Sequence, residues 1–195
     1  MKKFFKIFLL TVLISFTLVF AAAGIFLLVP TNLKLNEELL INSSDFANFY
    51  DTHNSLIETK ADKSGNKTTL INENLTNAFI ASEDKNFYSH HGLDYPRIVK
   101  SFFVNLFSGD YSQGASTISQ QLIKNTHLTQ EKTITRKLKE IKLAQKLEDK
   151  YSKNEILEMY LDTIYFGENV YGIENAAHFY YSKNASELDL NECAT

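Results

Sequence analysis

Hydrophobic and polar positions divide the chain into three unlike stretches. Ile7 to Val29 is a run of 23 residues without a charge. As a helix at about 1.5 Å per residue it covers about 35 Å, against about 30 Å of bilayer hydrocarbon. Thr11, Ser15 and Thr17 fit such a helix because their hydroxyls bond back to the preceding turn. Lys2, Lys3 and Lys6 precede the run, which predicts a cytoplasmic amino terminus and an exported remainder. A cleaved signal peptide with Ala21-Ala22-Ala23 as its small-residue site is the competing reading. Apolar residues continue through Ile25-Phe26-Leu27-Leu28-Val29, long for a signal peptide, so an uncleaved anchor is favoured.

Pro30 ends the run, and Leu33 to Leu40 is expected to form a short helix near the membrane surface. The next stretch alternates differently. Phe49-Tyr50, Leu56-Ile57 and Thr68-Thr69-Leu70-Ile71 are short β-prone pieces separated by Asp, Asn, Ser and Gly, which predicts a small hairpin. From Asn72 the period turns helical. Leu75, Phe79 and Ile80 share one face, and Ile98, Phe102, Asn105 and Leu106 mark a helix after Pro96. Ser116 to Lys124 is a third helix. Thr133 to Lys150 is a fourth, with Ile134, Leu138, Ile141 and Ala144 as its expected apolar stripe. Ser152 and Glu155 form a capping box for a fifth, and a sixth spans Gly172 to Tyr181. The boundaries are therefore 1–29, cytoplasmic tip and transmembrane signal-anchor; 30–71, linker and short β-hairpin; and 72–195, a mainly α domain.

Composition narrows the function. Across 195 residues the net charge is −3, from 20 basic and 23 acidic side chains, which argues against a general nucleic-acid binder. All 23 acids lie beyond residue 29 with 17 of the bases, so the exported part is mildly acidic. The single cysteine, Cys193, excludes an internal disulfide and a cysteine-based zinc cluster.

Three segments carry candidate chemistry. In Glu83-Asp84-Lys85-Asn86-Phe87-Tyr88-Ser89-His90-His91-Gly92 an apolar stretch runs into two adjacent acids. A carboxylate at the end of a buried helix can serve as a general base or acid. Taken alone, a solvated helix end before a glycine explains the pattern equally well. The second segment is Gly114-Ala115-Ser116-Thr117-Ile118-Ser119-Gln120-Gln121-Leu122-Ile123-Lys124-Asn125. Free N–H groups, hydroxyls and two neighbouring amides at a helix start suit an anionic or sugar ligand. An N-capped helix with Ile118, Leu122 and Ile123 in the core is the plain alternative. The third segment, Lys132 to Lys150, holds seven bases, and Glu140 is its one acid between Lys132 and Lys146. Arg136, at i−4, is placed to hold Glu140. Such a cationic face suits a phosphate or lipid headgroup, or is simply a solvated helix face.

Together these residues resemble the glycosyltransferase family 51 domain, the peptidoglycan glycosyltransferase of class A penicillin-binding proteins and monofunctional transglycosylases. The matching motifs are Glu83-Asp84-x-x-Phe87-x-x-His90-x-Gly92 and Gly114-x-Ser116-Thr117-x-x-Gln120-Gln121-x-x-Lys124-Asn125. Arg136-Lys137-x-x-Glu140 and Lys153-x-x-Ile156-Leu157-Glu158-x-Tyr160-Leu161 follow in order, and Tyr171-Gly172 with Ala176-Ala177 completes the series.

The resemblance implies a lysozyme-like helical lobe with a small membrane-proximal jaw lobe. It implies a 72–195 unit that is a glycosyltransferase domain stopping short of the family's usual carboxy-terminal end. It implies polymerisation of lipid II onto a growing glycan chain, with inversion at MurNAc C1 and release of undecaprenyl diphosphate. Glu83 is then the general base and Glu140 the second catalytic carboxylate, orienting cations or helping to hold a divalent ion. Asp84, Phe87, Lys100, Ser116, Thr117, Gln120, Gln121, Lys124, Asn125, Lys132, Arg136 and Lys137 fall at substrate-binding positions. Lys124, Arg136 and Lys137 would neutralise the departing diphosphate. The sequence requires no cofactor; magnesium or manganese at Glu140 is compatible with it. Expected partners are lipid II, the glycan chain, membrane lipid and other cell-wall synthesis and division proteins, with no nucleic acid. The expected location is the bacterial cytoplasmic membrane, single-pass, with the catalytic domain outside. Lys100 and Lys132 stand where the family carries Arg, Arg97 where Gly is common, and Asp162 where Asn is common. The competing functions are a lysozyme-like peptidoglycan hydrolase and a non-catalytic lipid II-binding scaffold.

Overall fold

The structure is a computed structural model that describes residues 4–6, 8–13, 17, 24, 33–41, 49–50, 56–57, 72–108, 114–129 and 131–194. Among these the chain is mainly helical. Its elements are α1 (Glu37–Ile41), β1 (Phe49–Tyr50), β2 (Leu56–Ile57), α2 (Glu73–Glu83), α3 (Tyr95–Ser108), α4 (Ile118–His127), α5 (Ile134–Lys150), α6 (Lys153–Thr163), α7 (Ile173–Tyr181) and α8 (Leu190–Cys193). Short 3₁₀ turns occupy Phe87–Ser89 and Ala185–Glu187. The hairpin expected from the sequence is present as β1 against β2, antiparallel, with Phe49 opposite Ile57 and Tyr50 opposite Leu56. The third β-prone piece, residues 68–71, lies outside the described residues.

Most of the uncharged run of residues 7–29 also lies outside them. The described residues of the run, 8–13, 17 and 24, are helical, as are residues 4–6 before it. Among the described residues no helix is long and apolar enough to cross a membrane.

The core is built around α4, which packs against both α5 and α6. Ile118, Leu122 and Ile123 on α4 are fully buried, among Leu143, Ala144 and Leu147 of α5 and Ile156, Leu157 and Leu161 of α6. Burying one such aliphatic side chain contributes about 1.5–3 kcal/mol, which is why this face is the folding interface. The helix ends are capped as the sequence suggests. Thr117 and Gln120 form a reciprocal capping box at the start of α4, and Ser152 with Glu155 does the same for α6. Ser116 lies before α4 rather than in it, because Thr117 takes the cap position.

Two expectations need correction. Of the expected α5 stripe, Ala144 is fully buried and Leu138 and Ile141 are half-buried, but Ile134 is not part of it. Ile134 is 76% exposed, while the buried face is Glu140, Leu143, Ala144 and Leu147. Leu143, Ala144 and Leu147 supply the apolar burial, and Glu140 is tolerated on the same face because Gln120, Arg136 and Lys137 satisfy its oxygens. The segment expected to be helical from Leu33 starts its helix only at Glu37, because Asn36 Oδ1 accepts from the Glu38 N–H at 3.1 Å and acts as a cap. This segment docks on the helical body. Leu40 is buried, the Leu33 carbonyl accepts from Lys146 Nζ at 2.9 Å, and the Asn36 N–H donates to His127 Nε2 at 3.0 Å.

Gly92 sits at φ +75, and a Cβ there would meet the Ala144–Gln145 backbone of α5 at 3.2 Å. Gly172 sits at φ +79, where a Cβ would lie 2.8 Å from the Asp162 carbonyl. Both glycines allow a loop to lie directly on a helix backbone, and both add left-handed conformation to close approach. Gly92→Ala is expected to destabilise the fold by about 2 kcal/mol, read from chemical denaturation, whereas unchanged stability would mean that α5 yields at no cost.

Burial lowers the pKa of His127, against the opposing effect of its bond from Asn36. The unfolded chain therefore takes up the proton first, at about pH 6.5, and stability falls as pH drops through that value towards the lower folded one. Thermal midpoints between pH 7 and 5 are expected to fall more steeply in the native sequence than in His127→Gln. Parallel curves would refute the assignment.

Candidate active site

Asp84 follows the last residue of α2 and is completely buried. Its Oδ2 accepts from the Ile118 N–H of α4 at 3.1 Å and pairs with His90 Nε2 at 2.9 Å. A buried carboxylate with such partners ties the end of α2 to the beginning of α4. The same junction is closed by Thr117, whose hydroxyl donates to the Gly92 carbonyl at 2.8 Å. Glu83 is thereby brought beside α4, where its Oε2 accepts from Gln121 Nε2 at 2.8 Å.

The neighbouring Gln120 faces the other way. It is 2% exposed, its Oε1 accepts from the Thr117 N–H at 3.0 Å, and its Nε2 reaches Glu140 Oε1 at 3.4 Å. Glu140 is 1% exposed and accepts from Arg136 Nη1 at 2.9 Å and from Lys137 Nζ. Lys137 Nζ also donates to Ser116 Oγ at 2.9 Å. Two adjacent glutamines of one helix thus each hold one carboxylate. Glu83 meets an amide and Glu140 meets an amide with two cations. Tyr160, 3% exposed on α6, closes the Glu83 side, with its hydroxyl donating to Gln121 Oε1 at a long 3.4 Å. Burial, then the Glu83 and Asp84 carboxylates, push the Tyr160 hydroxyl far above the ordinary tyrosine range, so it stays a neutral donor.

A family model described as Transglycosylase matches residues 52–195. The chain belongs to the transglycosylase family. It is 46% identical over 147 residues to Penicillin-binding protein 1A of Escherichia coli (strain K12), covering 74% of this chain and 17% of that protein. It is 41% identical over 184 residues to Penicillin-binding protein 1A of Clostridium tetani (strain Massachusetts / E88), covering 89% of this chain and 23% of that protein. Penicillin-binding protein 1F of Bacillus subtilis (strain 168) is 46% identical over 124 residues, 64% of this chain and 17% of the relative. The chain therefore spans only 17% to 23% of these relatives' lengths.

The residues singled out by sequence fall into distinct places. Glu83, Gln121 and Ser116 are half-buried, and Lys124 and Asn125 are exposed on the later turns of α4. Arg136, Lys137 and Glu140 are joined on α5, while Lys132 lies exposed before it and Lys100 is exposed on α3. Phe87, Thr117 and Gln120 are buried, like Asp84, and their side chains pack or bond inside the protein. Lys153 Nζ sits 4.5 Å above the Phe87 ring and 2.7 Å from Glu148 Oε2. Glu148, with a side chain 2% exposed, also accepts from Ser119 Oγ. It was not foreseen, because an acid pair, Glu148-Asp149, near a helix end gives no sequence sign that one of the two is buried. His90 and Tyr160 stood inside quoted motifs, yet only the tertiary contacts give them partners.

Among the described residues no group of three or more His, Cys, Asp or Glu is placed to hold a metal ion. The donors around Glu140 are Arg136, Lys137 and the Gln120 amide, a cationic set that suits an anion. The Glu140 oxygens are taken up by these donors, so a divalent ion bound there would have to displace them.

Removing Arg136 would leave buried Glu140 with the half-exposed Lys137 as its cation. Arg136→Met is expected to cost about 1–3 kcal/mol in urea denaturation, with part recovered in the Arg136→Met/Glu140→Gln double variant. No recovery would show that the loss is one of packing.

Proposed function

We propose that this transglycosylase is a membrane-anchored peptidoglycan glycosyltransferase that polymerises lipid II into glycan strands. Glu83 is the general base. It accepts the proton of the acceptor GlcNAc 4-hydroxyl as that oxygen attacks C1 of the donor's terminal MurNAc. The configuration at C1 inverts, and undecaprenyl diphosphate departs. A sugar hydroxyl is far less acidic than a carboxylic acid, so proton transfer accompanies bond formation rather than preceding it. Lys124, Arg136 and Lys137 stabilise the charge that develops on the diphosphate, and Glu140 sets the two cations of α5. Ser116 and Gln121 position sugar or phosphate groups at the rim. Asp84, Phe87, Thr117 and Gln120 hold that rim in place.

The observation that supports this reading is the unequal environment of the two carboxylates. The Glu83 carboxylate meets a neutral amide and remains half-exposed, which suits a group that must reach a hydroxyl. Glu140 is buried beneath two cations, which suits the binding of an anionic leaving group. Hydrolysis of a neutral glycosidic bond has no diphosphate to stabilise and gives no reason for that cationic face.

In this reading residues 7–29 form a single-pass anchor, with the amino terminus inside and the catalytic domain outside. Phe4, Phe5, Phe8, Leu9, Leu10 and Leu13 are all more than half exposed, which suits insertion into lipid. The catalytic part is a lysozyme-like lobe, with α3 in its membrane-proximal jaw. Phe102, Phe103, Leu106 and Phe107 lie exposed there and offer a surface suited to acyl chains. Other cell-wall synthesis and division proteins are its natural neighbours.

The test is incubation of the purified chain with labelled lipid II. Polymer and undecaprenyl diphosphate are expected, with Glu83→Gln at least about 100-fold slower. Equal rates for the two would refute the base. Release of soluble muropeptides from finished peptidoglycan would mark a hydrolase instead, and binding of lipid II without turnover a scaffold.

A further inference from the structure

Arg97 lies in the first turn of α3 and has no part in the chemistry above. Its backbone N–H donates to Asp94 Oδ1 at 2.9 Å, and Asn86 donates to the other Asp94 oxygen at 2.8 Å. Asp94 is 2% exposed, so the start of α3 is fixed against the loop that follows Glu83. From there the Arg97 guanidinium turns back. Its Nη1 donates to the main-chain carbonyl of Glu83 and lies 3.8 Å from Asp84 Oδ1.

Both acceptors need such a cation. Glu83 is the last residue of α2, and the closing carbonyls of a helix lack an N–H partner one turn on. Cations at this end also meet the negative pole of the helix. Asp84 Oδ1 is buried with no hydrogen-bond partner, although Oδ2 of the same carboxylate is fully used. A planar guanidinium can face a carbonyl and a carboxylate together, which a point-like ammonium does less well.

We propose that Arg97 is a positioning residue for Glu83. It caps the Glu83 carbonyl, faces Asp84, and so fixes the backbone from which the Glu83 carboxylate reaches Gln121. The proposal rests on the reading of Glu83 as the base. It acts through the main chain, so it alters how often the carboxylate is correctly aimed and leaves the binding groups of α4 and α5 in place.

The experiment measures lipid II polymerisation by the full chain and by Arg97→Met, Arg97→Lys and Glu83→Gln, together with their thermal midpoints. Arg97→Met is expected to lower kcat about tenfold with KM for lipid II within about twofold, since small misplacements of a reacting group cost rate more than binding. Arg97→Lys is expected to restore part of kcat. Arg97→Gln, which keeps a donor for the carbonyl without the charge, serves in place of Arg97→Met if that variant does not fold. Native kcat in Arg97→Met beside an inactive Glu83→Gln overturns the proposal and leaves the base standing. A parallel loss of kcat, KM and thermal midpoint without rescue by Lys overturns it as a purely structural effect. Full activity in Glu83→Gln removes the base and the proposal with it.

Discussion

The Asp84 carboxylate on the Ile118 N–H joins the end of α2 to the start of α4, and the geometry of the site follows from that join. A helix start presents N–H groups without partners in its own turn, and a buried anion satisfies one of them while meeting the positive end of the helix. Because Asp84 is spent on this contact and on His90, its neighbour Glu83 is left at the edge with its carboxylate towards Gln121. The two acids are adjacent in sequence but have different environments, one completely buried and one half-exposed. That difference separates a carboxylate committed to the fold from one left within reach of solvent.

The same helix distributes polarity to both sides. Gln120 and Gln121 are consecutive, so their side chains point about 100° apart, one towards Glu140 and the other towards Glu83. An amide supplies donors and acceptors without charge, and here it orients each carboxylate without neutralising it. Charge is added only on the α5 side, by Arg136 and Lys137. Glu140 is buried, while Arg136 is mostly covered and Lys137 stays half-exposed, so the cations reach from the edge of the core towards solvent. Removing either partner would leave a buried carboxylate short of a cation, which is costlier than losing a fully exposed pair.

Much of this was legible in the residues. The capping box at Ser152–Glu155, the core positions Ile118, Leu122 and Ile123, and the Arg136–Glu140 pairing follow from local spacing. The ordered motifs carried the family, because four of them occur in sequence at matching intervals and the family model spans them. The burial of Glu140 on α5 was not legible. Hydropathy places Ile134 inside and Glu140 outside, and it cannot register that the buried Gln120 amide of α4 meets Glu140 in the core. The roles of Arg97, Glu148 and Tyr160 were hidden for a related reason. Their partners lie on other helices, at separations that no local pattern encodes.

By itself, then, the sequence determined the helical class of the domain, its caps, the uncharged run at its start and the family to which it belongs. These depend on periodicity, on short-range hydrogen bonds and on the identity of side chains. Tertiary structure alone decided which polar residues are buried supports and which stand at the rim. Thr117, Gln120 and Asp84 turn inward, while Lys124, Asn125 and half-exposed Glu83 remain within reach of solvent. The physical reason is that burying a polar group is tolerated only where a partner is already in place, and those partners come from distant parts of the chain.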